Sequence, residues 1–138
     1  LSCNYMSHIS FLVAIIFLHI CEAAFSQSTV VDSLKRVLSE TTNDTGRIDI
    51  LLDIGTELQY SNPTLAMNYA RRAQSIASST RIVRFNSRIH RNIGIVYATT
   101  GKSDSALISF QKSLDYALQY GNDTDIGNAY NNLGIMYY

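Results

Sequence analysis

The sequence predicts an all-α protein in which antiparallel helix pairs stack into a solenoid. Three observations predict it. Gly55, Gly94 and Gly134 lie 39 and 40 residues apart, each inside a similar apolar frame, and self-similarity at such a period marks a repeat architecture. A single proline, Pro63, interrupts the 138 residues, which suits helices, whose interiors proline breaks. Runs with apolar residues at helical spacing alternate with short polar turns. A glycine in mid-helix costs about 1 kcal/mol against alanine, so a recurring one implies a close backbone approach.

Composition narrows the class. With 46% hydrophobic and 16% charged residues, the chain is neither a disordered polymer nor a bundle of membrane spans. Its zero net charge provides no whole-molecule field toward nucleic acid or a membrane surface. Both cysteines, Cys3 and Cys21, fall in the first 21 residues. Without that segment the chain has no thiol and stands on packing alone.

The first methionine is Met6, so residues 1–5 read as sequence upstream of the translation start. Phe11 to Leu18 is an unbroken apolar run of eight. That is too short for a membrane-spanning helix, which needs about 20 residues, but matches a signal-peptide core. Ala24-Phe25-Ser26 sets small residues where a signal peptidase reads, placing cleavage before Gln27. Residues 1–26 are therefore expected to be a signal peptide and the mature chain to be exported, in a bacterium to the periplasm. His8 stands where a basic residue is usual, and bulky His19 and Ile20 before Cys21 argue against a lipoprotein signal. The alternative is a buried helix in a cytoplasmic protein.

Residues 27–44 are expected to form a lead-in helix and a turn. Val30, Val31, Leu34, Val37 and Leu38 recur at helical spacing before the polar Thr41 to Gly46. The repeats then occupy 45–138, in units of about 45–80, 81–120 and a partial 121–138. The first unit carries Ile48, Leu51, Ile54, Gly55 and Leu58 on one face of a helix from Arg47 to Tyr60. Asn62 as N-cap and Pro63 at the first helical position open its partner. That partner presents Leu65, Ala66, Tyr69, Ala70, Ala73, Ile76 and Ala77, and Ser78-Ser79-Thr80 ends it.

In the second unit Ile82, Phe85, Ile89, Ile93, Val96 and Tyr97 form the buried stripe. Gly101-Lys102 turns the chain and Ser103 is the expected N-cap. Ala106, Leu107, Phe110, Leu114, Ala117 and Leu118 then face the core. Ala66 and Ala106, like Ala77 and Ala117, are 40 residues apart. Ile126 opens a third first-helix, with Leu133, Met136 and Tyr137 lacking the partner that would cover them. Such repeats need about three copies and capping ends, so the chain is expected to be an N-terminal fragment of a longer protein, cut in its third repeat.

A small residue and an aromatic in the first helix, followed by Ala and Phe in the second, resemble tetratricopeptide repeats. The matching positions are Ile93, Gly94, Tyr97, Ala106 and Phe110 in the second unit and Leu133, Gly134 and Tyr137 in the third. In the first unit Ile54, Gly55, Ala66, Ala70 and Ala73 match, while Leu58 replaces the aromatic. Ser113 stands where the family usually has Ala. The period of 40 exceeds the family's basic unit of about 34. It is similar to repeats in kinesin light chains and bacterial regulators. The resemblance implies a right-handed solenoid of helix pairs. A signal peptide, a lead-in helix and then such repeats resemble the exported N-terminal region of Bacteroidetes-type sensor histidine kinases and regulators.

Residues able to carry chemistry are few. Past residue 26 the chain has one histidine, His90, and no cysteine. His90 shares a repeat position with Leu51 and Tyr130 and reads as a core histidine rather than a ligand. No metal-ligand spacing, nucleophile elbow or phosphate loop occurs. No catalytic residue, metal or cofactor is assigned. The Asn43-Asp44-Thr45 and Asn122-Asp123-Thr124 sequons fall at equivalent turns, where Asp and Thr are expected to cap the next helix.

Charge is locally uneven. Between Glu57 and Asp104 no acid occurs, while Arg71, Arg72, Arg81, Arg84, Arg88, Arg91 and Lys102 do. Arg81, Arg84, Arg88 and Arg91 are spaced for one helical stripe about 120° from the apolar face. The resemblance implies a concave groove lined by Arg88, Arg91, Ile95 and Ala98, by Asn128, Asn131, Ile135 and Tyr138, and by Asp49, Leu52, Thr56 and Gln59. It also makes Asn92 and Asn132 a pair for contacting a peptide backbone, with Asp53 in their place in the first unit.

Arg84, Arg88 and Arg91 then suit an acidic or C-terminal carboxylate peptide, because arginine forks match carboxylates. The opposing reading is a solvated charged face. Nucleic acid is disfavoured by the acidic first unit. The expected function is thus non-enzymatic protein or peptide binding, as the extracytoplasmic sensor or scaffold part of a signal-transduction protein. Homodimer formation also remains open, and a membrane enters only through the signal peptide or a helix further along. The alternatives are a histidine kinase whose catalytic domain lies downstream, or a cytoplasmic scaffold or transcription regulator.

Overall fold

The computed structural model describes residues 29–137. The expected signal peptide at 1–26, with Met6, Cys3 and Cys21, lies outside the described residues, as does Tyr138. Two compact units divide between Ser33 and Leu34. Of the first, residues 29–33 are described and helical; the second carries the rest. The protein is helical, with no strand among the described residues. None of the helices among them is long and apolar enough to cross a membrane.

Residues 29–40 are helical (α1). Helix α2 (Asp44–Leu58) follows, capped by Asn43, whose side chain accepts from the Gly46 amide at 2.6 Å. Helix α6 (Asp123–Met136) is capped the same way by Asn122, which accepts from the Asp125 amide at 2.9 Å. The asparagine of each sequon therefore does the capping expected of Asp and Thr, because Asn in extended backbone reaches the amide three residues on.

Asn62 caps α3 (Pro63–Thr80) through the Leu65 amide, with Pro63 at the start of the helix. The short turn between α2 and α3 makes them antiparallel. Helix α3 ends at Arg81, which takes the left-handed conformation at φ 58 while the Ile82 amide returns to the Ala77 carbonyl at 2.9 Å. That break corrects the expected continuous helix from residue 81. Val83–Phe85 form one 3₁₀ turn, and α4 runs from Asn86 to Thr99. Arg81, Arg84, Arg88 and Arg91 therefore do not share one helical stripe. Gly101 turns the chain at φ 74, and α5 (Ser103–Tyr120) begins at Ser103 itself, with Lys102 in the N-cap position and no side-chain cap.

Each helix from α2 onward packs on the next, and α4 also touches both α2 and α6. The first helices of successive pairs are thus neighbours. Ala66, Ala70, Ala73 and Ala77 line the buried side of α3, and Ala106 and Ala117 that of α5, and these small side chains allow close helix approach. Ile48, Leu51, Ile54, Phe85, Ile89, Ile93, Val96, Phe110, Leu114 and Leu133 fill the remaining space. Burying such a side chain contributes about 1.5–3 kcal/mol.

The glycines divide into three cases. A Cβ on Gly94 would stand 2.6 Å from Cδ1 and Cε1 of Phe110, so glycine is required there. A Cβ on Gly55 would meet only ordinary contacts, the nearest being the Ala66 carbonyl at 3.5 Å. Gly134 has nothing within 4 Å and Tyr137 is 74% exposed, in keeping with the lack of a covering helix expected at this end. Leu118, expected in the core, is 58% exposed.

Candidate functional site

The site is the surface where α2, α4 and α6 lie side by side. Arg88 projects from α4 toward α2 and forks across two carboxylates. Its Nη1 meets Asp49 Oδ1 at 2.5 Å and its Nη2 meets Asp53 Oδ1 at 3.0 Å. Asp49 and Asp53 are one turn apart on α2, so both reach one guanidinium. Arg88 was expected to face a ligand; its fork is occupied from within the chain. The sequence held a signal for this: Asp53 is the acidic departure where the later units have Asn92 and Asn132.

One turn further along α4, Asn92 is buried. Its Nδ2 donates to the Leu52 carbonyl at 2.9 Å and to Thr56 Oγ1 at 3.3 Å. The Leu52 carbonyl already accepts from Thr56 Oγ1 at 2.9 Å, so Asn92 adds a further bond to that oxygen. Asn92 Oδ1 is shut from solvent without a partner among the described residues. Asn92 therefore joins helix to helix through its Nδ2. Leu52 is also withdrawn from the expected groove, being 1% exposed, because α4 covers that side of α2. Ile95 is half-buried and packs on the cluster of Phe110, Leu114, Ala129 and Leu133.

Arg91 differs from Arg88. It is half-buried and makes no ion pair or side-chain hydrogen bond among the described residues. Burial, the larger effect, and Arg88 hold its guanidinium below the usual pKa, while Asp125 and Asp53 oppose this. An arginine remains charged under such a shift. Arg91 is thus a partly desolvated cation lying near acids of the helices on either side, with its fork unoccupied.

Beside it opens a cleft of about 410 Å³ lined by Asp49, Arg84, Phe85, Arg88, Tyr120, Gly121, Asn122 and Asp125. Arg84 is exposed there and lies over the Phe85 ring, 5.1 Å from its centroid. The cleft carries both signs of charge, Asp49 and Asp125 standing with Arg84 and Arg88. In α6, Asn128 and Asn132 are half-buried and Asn131 is exposed. None of the three makes a side-chain hydrogen bond among the described residues, so Asn132 does not repeat the helix-to-helix bond of Asn92.

Two features went unseen in the sequence. Ser113 and Ser87 are buried together, Ser113 Oγ donating to the Ser87 carbonyl at 2.9 Å with the two hydroxyls 3.3 Å apart. Ser113 thus ties α5 to α4 through a buried hydrogen bond. His90 is half-buried and stacks parallel on Tyr116, centroids 5.5 Å apart. It is not a core residue like Leu51. Among the described residues no group of three or more His, Cys, Asp or Glu is gathered to hold a metal. Comparison with protein-family models, with curated proteins and with solved structures finds no match to this chain.

Proposed function

We propose that this chain is a non-enzymatic binding module of tetratricopeptide type, whose side-by-side first helices receive an acidic segment of a partner protein. The observation that carries the reading is Arg91, a charged fork held half out of water without a carboxylate of its own. Such a group gains more from an incoming carboxylate than a fully solvated one does. Arg84, exposed on the neighbouring cleft, extends the cationic track by one anchor. Arg88 frames the site but is neutralised by Asp49 and Asp53, so an acidic ligand would have to compete for it.

The repeat reading is supported by links that recur at the repeat spacing. Asn92 bonds the carbonyl 40 residues before it, and Arg88 bonds the carboxylate 39 before it. Gly94 against Phe110 supplies the glycine-to-aromatic contact within one pair.

Fluorescence anisotropy with a labelled hexaglutamate peptide, set beside hexalysine, tests the function. The acidic peptide should bind saturably and weaken as salt is raised, while the basic one should not bind. Equal binding of the two, or none of either, overturns the proposal.

A further inference from the structure

A second groove lies on the other side of α4, between α3 and α5. Arg88, Arg91 and Ile95 form one stripe of the helix; His90, Ile93 and Tyr97 form another, roughly 160° round at 100° per residue. The groove has a volume of about 270 Å³, and its polar rim is Arg71 and Gln74 from α3, His90 from α4, and Ser105, Ser109 and Lys112 from α5. No carboxylate lines it.

Its cations are spare. Lys112 makes no ion pair or side-chain hydrogen bond among the described residues, and Arg71 donates only to the neutral Gln74 at 3.3 Å. One acid, Asp115, lines the adjoining cleft with His90, Lys112 and Tyr116, and its carboxylate accepts from Gln111 at 3.0 Å. His90 is held flat on Tyr116, which fixes the plane in which its ring nitrogens lie. Burial first, then Lys112 and Arg71, keep its imidazole below the ordinary pKa, so the free groove holds a neutral ring between two permanent cations.

We propose that this groove binds a phosphate monoester, its dianion held by Arg71 and Lys112 with the edge of His90 as third contact. Charge count selects the ligand class. A phosphate monoester carries between one and a half and two negative charges near pH 7, roughly, and three strong acceptor oxygens. It neutralises two fixed cations, whereas a carboxylate would leave one unpaired. Bound dianion also reverses the field at His90, so the ring takes up a proton as the site fills.

The test follows the imidazole NMR signal of His90, assigned with His90→Gln, while the full chain is titrated with phosphoserine. Saturable movement of that signal is expected, with acetate at matched ionic strength producing none. Arg71→Gln and Lys112→Gln should each weaken binding at least tenfold, and Arg88→Gln, on the other groove, should change it less than twofold. Parallel titrations with inorganic phosphate and a phosphoserine peptide separate the sources: tighter peptide binding assigns the site to a modified protein, equal binding to free phosphate. An unmoved His90 signal, acetate binding within twofold of phosphoserine, or indifference to both cation substitutions overturns the proposal. Hexaglutamate binding reads the other groove and stands or falls separately.

Discussion

Gly94 and Phe110 form the tightest helix-to-helix approach at any glycine described here: a methyl group on Gly94 would stand 2.6 Å from two carbons of the Phe110 ring. The ring cannot yield far, because Phe110 is 3% exposed within the cluster that joins α5 to α6.

Gly94→Ala should therefore destabilise the fold. Overpacking a filled core costs about 1–3 kcal/mol, which outweighs the roughly 1 kcal/mol that alanine gains in helix propensity. Gly55→Ala meets nothing nearer than 3.5 Å and should be neutral or stabilising by up to about 1 kcal/mol. Urea denaturation of the two variants checks the contrast; equal effects would remove the close-approach account of Gly94.

Arg81 closes α3 in the left-handed region at φ 58. A side chain there is disfavoured by about 1–2 kcal/mol, and glycine is the usual occupant. Arg81→Gly should raise the denaturation midpoint, the released strain being offset in part by glycine's greater freedom in the unfolded chain. Arg81→Val should lower it, since a β-branched residue tolerates that conformation least.

His90 adds a pH dependence. Its folded pKa lies below the ordinary 6.5. As pH falls through the ordinary value, the unfolded chain binds a proton that the folded chain refuses. The contribution is therefore complete above that value and is lost toward acid, down to the folded pKa. In phosphate-free buffer the wild type should lose stability relative to His90→Gln as pH is lowered through the ordinary histidine range. A difference independent of pH would show that the ring titrates freely in the fold.

The helices and most of their turns could be read from period and punctuation. Asn62-Pro63 at the start of α3 follows from a local rule, and the mid-helix Gly94 implied a close approach without naming Phe110 as its partner. The site was less legible because it is made of long-range contacts. The resemblance puts Leu52 at a groove position, yet α4 lies over it. Arg88 reads as a recognition residue until Asp49 and Asp53 are brought beneath it. The end of α3 was legible in Ser78-Ser79-Thr80, but the left-handed cap at Arg81 and the 3₁₀ turn before α4 were not, because propensity would put glycine at such a cap. The three residues of the anion groove, Arg71, His90 and Lys112, come from three helices with no shared spacing.

The distinction between Arg88 and Arg91 carries the functional account. Arg88 is placed to hold α4 on α2, and with acids that are 42% and 52% exposed each pair contributes only about 0–1 kcal/mol. In the proposed function, Arg91 is the residue that receives the ligand. Hexaglutamate anisotropy and thermal denaturation, measured together on Arg88→Gln and Arg91→Gln, separate the two roles. The account predicts that Arg91→Gln weakens peptide binding about tenfold or more, as loss of one charge-assisted bond of about 1.5–3 kcal/mol implies, with little change in stability. Arg88→Gln should lower stability slightly and leave binding within about twofold, since its fork is already filled. The reverse pattern, with Arg88 governing binding and Arg91 indifferent to it, would contradict the account.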